Sequence, residues 1–134
     1  MSISKMWVED KNVCFVCGRE NQEGMKLPIE VDEKGARFRY VIPEKYQGWV
    51  GITHGGIVAT MLDELMAWST KPKGYSTVTA EIQVRFRKPV PVGKEITGEG
   101  WITKEEGRLV FAHSRLIDEK GIVLAEATGK LWKV

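Results

Sequence analysis

His54, Gly55, Gly56, Asp63 and Glu64 stand close together in the stretch GWVGITHGGIVATMLDE, and their types suit acyl transfer. The first N–H groups of a helix lack partners inside it and carry the positive end of its dipole. Glycines at such a start clear away side chains, so those donors can meet a carbonyl oxygen directly. Two such donors stabilise the negative charge that builds on that oxygen, typically by a few kcal/mol. A carboxylate nearby supplies a general base or a nucleophile. Each group also has a plainer reading. The glycines can merely turn a tight corner, and Asp63 can be a surface acid at a helix–helix contact.

These residues need a helix to hold them, and the spacing predicts one from about Gly56 to Thr70, ended by Lys71-Pro72-Lys73-Gly74. At 100° per residue, Ile57, Val58, Met61, Leu62, Leu65, Met66 and Trp68 share one half of it. The other half holds Gly56, Ala59, Thr60 and Ala67, with Asp63 in their midst and Glu64 at the border of the core face. Solvated helix faces favour Lys, Glu, Gln and Arg, so this small-residue stripe lets a ligand or another helix come close. Asp is a mediocre helix former, and propensity does not account for it. Gly56 and Asp63 lie about 10.5 Å apart along the axis. A base must come within ~3 Å of the reacting carbon or its water. One helix cannot bring both to one substrate, whereas two antiparallel copies about a two-fold axis can. A homodimer with shared sites is expected.

The rest of the chain reads as strands. Residues from about Lys26 to Val31 and Ala36 to Ile42 flank a turn at Asp32–Gly35, and four more strands follow at Thr77–Lys88, Glu95–Lys104, Arg108–Asp118 and Ile122–Lys133. In the first of these four, Val78, Ala80, Ile82, Val84 and Phe86 alternate with Thr77, Thr79, Glu81, Gln83, Arg85 and Arg87, as in a strand packed on one face. Short turns favour antiparallel pairing. The fold class is α+β: about six antiparallel strands wrapped around one central helix. With 134 residues, no repeat and no linker, residues 1–134 read as one domain.

Composition excludes several classes. A formal charge of +2, spread along the chain, is no nucleic-acid footprint. No apolar stretch approaches ~20 residues, so no membrane span is expected. The N-terminal residues lack the apolar core of a signal peptide, which makes the cytoplasm the expected location and reduced thiols the expected state of Cys14 and Cys17. These two form a lone CxxC. Zinc needs two further ligands, and His54 and His113 are the only histidines. A redox motif prefers the start of a helix after a strand. The pair is read as structural packing, with no metal and no cofactor.

The segment HGGIVATMLDE resembles the signature of hotdog-fold acyl-CoA thioesterases, in the branch similar to phenylacetyl-CoA and 4-hydroxybenzoyl-CoA thioesterases. CFVCGRENQEGMKL and RFRKPVPVG resemble further parts of bacterial relatives in that group. The resemblance covers nearly the whole chain. It implies a hotdog fold, acyl-CoA as substrate, and dimers that often pair into tetramers. It further implies that Gly56 N–H, with Gly55, polarises the thioester carbonyl. Asp63 of the other subunit then acts as general base or nucleophile, and His54 shapes the loop. Gln47 stands where many relatives carry a substrate-orienting Asn, and Thr79 where some have a hydroxyl. Glu64 is a second acid that the helical wheel turns away. Arg85, Arg87 and Lys88 are either a solvated sheet face or contacts to the phosphates of coenzyme A. Two other readings stand beside the enzyme: a non-catalytic acyl-CoA or lipid binder, and a hotdog hydratase or dehydratase.

Overall fold

A computed structural model describes residues 8–134. Strands β1 (Glu30–Asp32) and β2 (Gly35–Val41) precede helix α1 (Gly55–Ser69), and β3 (Thr77–Phe86), β4 (Glu95–Glu106), β5 (Leu109–Ile117) and β6 (Val123–Lys133) follow it. They form a six-stranded sheet in the order β1-β2-β4-β5-β6-β3, antiparallel throughout. The expected α+β architecture is present, and β3 is left as a long edge strand. No helix among the described residues is long and apolar enough to cross a membrane.

The helix buries Val58, Met61, Leu62, Leu65 and Met66 against Ile96 of β4, Val110 and Leu116 of β5, and Leu131 of β6. The helix comes very close to β4, because Gly98 and Gly100 offer no side chain beneath Leu65. A Cβ on Gly100 would fall 2.6 Å from the Leu65 carbonyl oxygen. A Cβ on Gly98 would collide with the Phe38 ring and with Leu65 Cδ1. Ser114, buried on β5, donates its hydroxyl to the Leu62 carbonyl at 2.8 Å and ties the helix backbone to the sheet.

Two expectations about strands need correction. The first strand covers only Glu30–Asp32 and not the run from Lys26. Lys26 has a φ of 52°, outside strand geometry, and Pro28 has no N–H to give a ladder. The N–H groups of Met25 and Leu27 go instead to the carbonyls of Phe15 and Val16. The second correction concerns β3, which ends at Phe86 and does not alternate without a break. Thr79 faces Leu131 and Glu81 faces Lys130, so Ala80 is an extra residue in a β-bulge. Residues paired across strands share a face. Thr79 therefore lies on the helix side with Leu131, Ile82 and Val84, and not on the outer side with Glu81 and Gln83.

Gly100→Ala should cost about 3 kcal/mol, the upper end of overpacking penalties, because the new methyl meets helix backbone. Gly55→Ala should stay within about 0.5 kcal/mol, since a Cβ there makes only ordinary contact with the Phe86 ring, at 3.6 Å. Urea denaturation of both variants tests this. Equal stabilities would show that the helix does not depend on the glycine gap.

Candidate active site

The helix start is built by a pinned loop. Gln47 and Thr53 bridge across it, the Thr53 N–H donates to the Val90 carbonyl at 2.8 Å, and the His54 N–H donates to the Tyr46 carbonyl at 2.9 Å. Gly51 turns the tip at a φ of 82° and gives its N–H to Gln47 Oε1 at 2.9 Å. Gln47 thus braces the loop. The tip carries Trp49, 82% exposed, and Val50, 91% exposed.

His54 is the N-cap of α1, and its Nδ1 accepts the Gly56 N–H at 2.9 Å. This alters the reading of the glycines. The Gly56 donor, expected to be open, is occupied by the imidazole of the residue two before it. The Gly55 N–H has no partner among the described residues. Both glycines are exposed, and the Phe86 ring at the end of β3 stands against Gly55.

Asp63 is half-buried in the middle of α1, and Thr79 donates its hydroxyl to Asp63 Oδ1 at 2.6 Å. That length is typical of an O–H bond to a carboxylate. The bulge at Ala80 makes the pair possible, since unbroken alternation would turn Thr79 to the far face. The structure thus brings Asp63 to Thr79, and His54 to Gly56. It keeps the two pairs at different points along one helix.

Glu64 belongs elsewhere. Its Oε1 accepts Trp68 Nε1 at 3.0 Å, and the Cys14 thiol lies 3.7 Å away as a donor. The carboxylate therefore faces the CxxC segment and not Asp63. Burial first, then a hydrogen bond to Glu64, pushes the Cys17 thiol up to about 12, so it is a neutral thiol at neutral pH and no nucleophile.

Arg85 pairs in register with Glu126 on the outer face of the sheet, beside His113 and Trp101 in a shallow cavity. Arg87 is bound to Glu126 by Nη2 at 2.9 Å, an exposed pair whose carboxyl is held below the usual range by that hydrogen bond. Lys88 is exposed just beyond β3. Arg85 and Arg87, both on the side of Glu126, do not face Asp63. Phe86, the aromatic neighbour of Gly55, was missed as a site residue. Its place in the alternation marked it as core, yet it is 55% exposed.

A curled antiparallel sheet around one helix, with a His-Gly-Gly helix start, is the hotdog fold. The family model of the thioesterase superfamily matches residues 50–125, and the chain belongs to that family. It is 36% identical over 124 residues to acyl-coenzyme A thioesterase THEM4 of Bos taurus, covering 90% of this chain and 51% of that protein. The chain spans about half the length of such curated relatives. Among solved structures, a thioesterase superfamily protein superposes with a TM-score of 0.84 at 24% identity, covering 92% of this chain and 61% of that one. A Streptococcus mutans protein bound to acetyl CoA matches with a TM-score of 0.75 at 17% identity, over 81% of this chain and 88% of that one.

His54→Ala should lower stability by about 1 kcal/mol through loss of the cap. His54→Asn, which restores a side-chain acceptor, should recover most of that. Denaturant midpoints decide the matter, and an unchanged midpoint in His54→Ala would remove the imidazole from helix capping.

Proposed function

We propose that the protein hydrolyses acyl-CoA thioesters to a carboxylic acid and coenzyme A, in a homodimer whose sites each draw on both subunits. The observation that carries this reading is the Asp63 carboxylate, half-buried on a face of small residues and held by Thr79 Oγ1 at 2.6 Å. A helix interior gains nothing from Asp, whereas a fixed carboxylate beside a narrow open stripe suits attack on a substrate lying along it.

In this reading the thioester oxygen approaches the start of α1, where the Gly55 N–H is open. The Gly56 N–H joins it when His54 Nδ1 gives up its bond. Asp63 of the second subunit takes a proton from water as the water oxygen bonds to the acyl carbon, or attacks that carbon itself. In the latter case loss of the thiolate leaves an anhydride, which water then cleaves to release the acid and free Asp63. The charge collects on the oxygen at the helix start. Collapse breaks the C–S bond, and the departing thiolate leaves with a proton as free coenzyme A. Lys88, exposed just beyond Phe86, is the cation we assign to the phosphates of the coenzyme, whereas Arg85 lies on the outer face of the sheet. The acetyl CoA held by the Streptococcus mutans protein supports a ligand of this class.

Support for the dimer comes from the edge strand. β3 is ten residues long, and Phe86, Trp49 and Val50 expose apolar surface near the helix start. Long exposed edges are usually covered, because their unpaired backbone groups invite another strand. A second copy laid antiparallel along β3 covers this edge and brings its Asp63 toward the open Gly55.

Coenzyme A release can be followed with a thiol reagent over a panel of aliphatic and aromatic acyl-CoAs. Asp63→Asn should reduce kcat by ~100-fold or more with KM little changed. Thr79→Val, which keeps shape and removes the donor, should cost about tenfold. Full activity in Asp63→Asn would sink the carboxylate as catalyst. Tight acyl-CoA binding by the wild type without release would make the protein a binder.

A further inference from the structure

We infer that Cys14, Cys17 and Glu64 form a zinc site that fastens the N-terminal segment to the helix carrying Asp63. The two thiol sulfurs and a carboxylate oxygen of Glu64 all lie within 4.8 Å of one another. A tetrahedral zinc, with bonds of about 2.3 Å to sulfur and 2.0–2.2 Å to oxygen, sets its ligand atoms slightly under ~4 Å apart. Cys14 Sγ and Glu64 Oε1, at 3.7 Å, already meet that spacing.

The segment around the cysteines is wound as a metal-binding knuckle. The Gly18 N–H returns to the Cys14 carbonyl at 2.8 Å, and the Val16 N–H points at Cys14 Sγ at 3.4 Å. That N–H fixes the direction in which the Cys14 sulfur points. Gly18 is obligatory to the winding, since a Cβ there would collide with the Cys14 backbone. Asn12 braces the loop from outside through bonds to the N–H groups of Arg19 and Glu20. The third ligand comes from fifty residues away on α1 and is itself oriented, because Trp68 Nε1 holds Glu64 Oε1 at 3.0 Å. Ligating carboxylates are commonly fixed by such an outer partner. Lys71, the cation beside them, lies 4.1 Å over the Trp68 ring.

Counting histidines hid this arrangement from the sequence. The ligand the CxxC needed was an acid on the helix, and the chain supplies it by folding residues 14–17 against Glu64 of α1. Zinc must displace the protons of both thiols as it binds, and a pair of sulfur ligands selects it over magnesium or calcium. Two sulfurs and one carboxylate leave the fourth position for water, and the cluster opens on a groove of about 660 Å³ through which water and metal can enter.

The test uses the whole chain, purified under reducing conditions without chelator, with both thiols counted as free after metal removal. Zinc content by mass spectrometry should approach one per chain. The metal-free protein should titrate with Co2+ to the same endpoint and develop thiolate-to-cobalt charge-transfer absorption. Cys14→Ser and Cys17→Ser should each remove most of that absorption. Glu64→Gln should keep it but weaken binding tenfold or more, and Trp68→Phe should weaken binding about tenfold. Melting of each variant in EDTA, compared with wild type in EDTA, separates lost metal from lost fold. Reduced, folded wild type that takes up neither Zn2+ nor Co2+ would overturn the site. So would serine variants that bind as wild type does. Metal content is read independently of thioester hydrolysis, so neither result bears on the other proposal.

Discussion

The closeness of α1 to the sheet governs the rest of the molecule. Where Gly98 and Gly100 leave no side chain, Leu65 packs onto bare strand backbone, and any Cβ there would meet helix atoms. Burial of Leu and Met side chains contributes about 1.5–3 kcal/mol each, but that term alone lets a helix roll. The roll is fixed by the Ser114 hydroxyl on the Leu62 carbonyl and by the shape of the glycine gap. Once Leu62, Leu65 and Met66 face the sheet, Asp63 has no choice of direction. It must lie on the flank toward β3, and Glu64 on the flank toward residues 14–17.

Local patterns made the large elements legible. The helix period placed the buried face correctly, and Gly55–Ser69 differs from the expected span by one residue at each end. Alternation and turn residues located five of the six strands to within a few residues. The failure at Lys26–Val31 also has a local sign, since Pro28 cannot pair as a ladder donor. What replaces the strand is not local. The N–H groups of Met25 and Leu27 are taken by Phe15 and Val16, a loop-to-loop match that no periodicity encodes.

The candidate site was legible as residue types and less so as contacts. His54, Gly56 and Asp63 stand out by chemistry and spacing, yet the imidazole's use of the Gly56 N–H depends on a side-chain rotamer. Thr79 was assigned to the outer face by simple alternation. Its real direction follows from one extra residue at Ala80, and that residue is recognisable only from the register of β6. Gln47 had the right chemistry for a ligand, but its acceptor closes the Gly51 turn. Each of these differences comes from a partner remote in sequence or from a torsion that composition does not constrain.

For the proposed reaction, the separation along α1 is the decisive constraint. Asp63 is held by Thr79 at one point on the helix, and the open Gly55 N–H lies eight residues earlier, about 12 Å along the axis. A helix clamped on sheet backbone cannot shorten, and an Asp side chain is far too short to span that gap. The same chain therefore cannot present acid and donor to one carbonyl. An antiparallel second copy reverses the order of the two ends, so that each open donor faces the other chain's acid. The features that favour such a neighbour are the exposed β3 edge, the small residues around Asp63 and the apolar Phe86 beside Gly55. On the proposed reading, these features border the stripe along which the thioester would lie. The rigidity that stabilises the monomer is thus what makes the reaction, on this reading, a property of the pair.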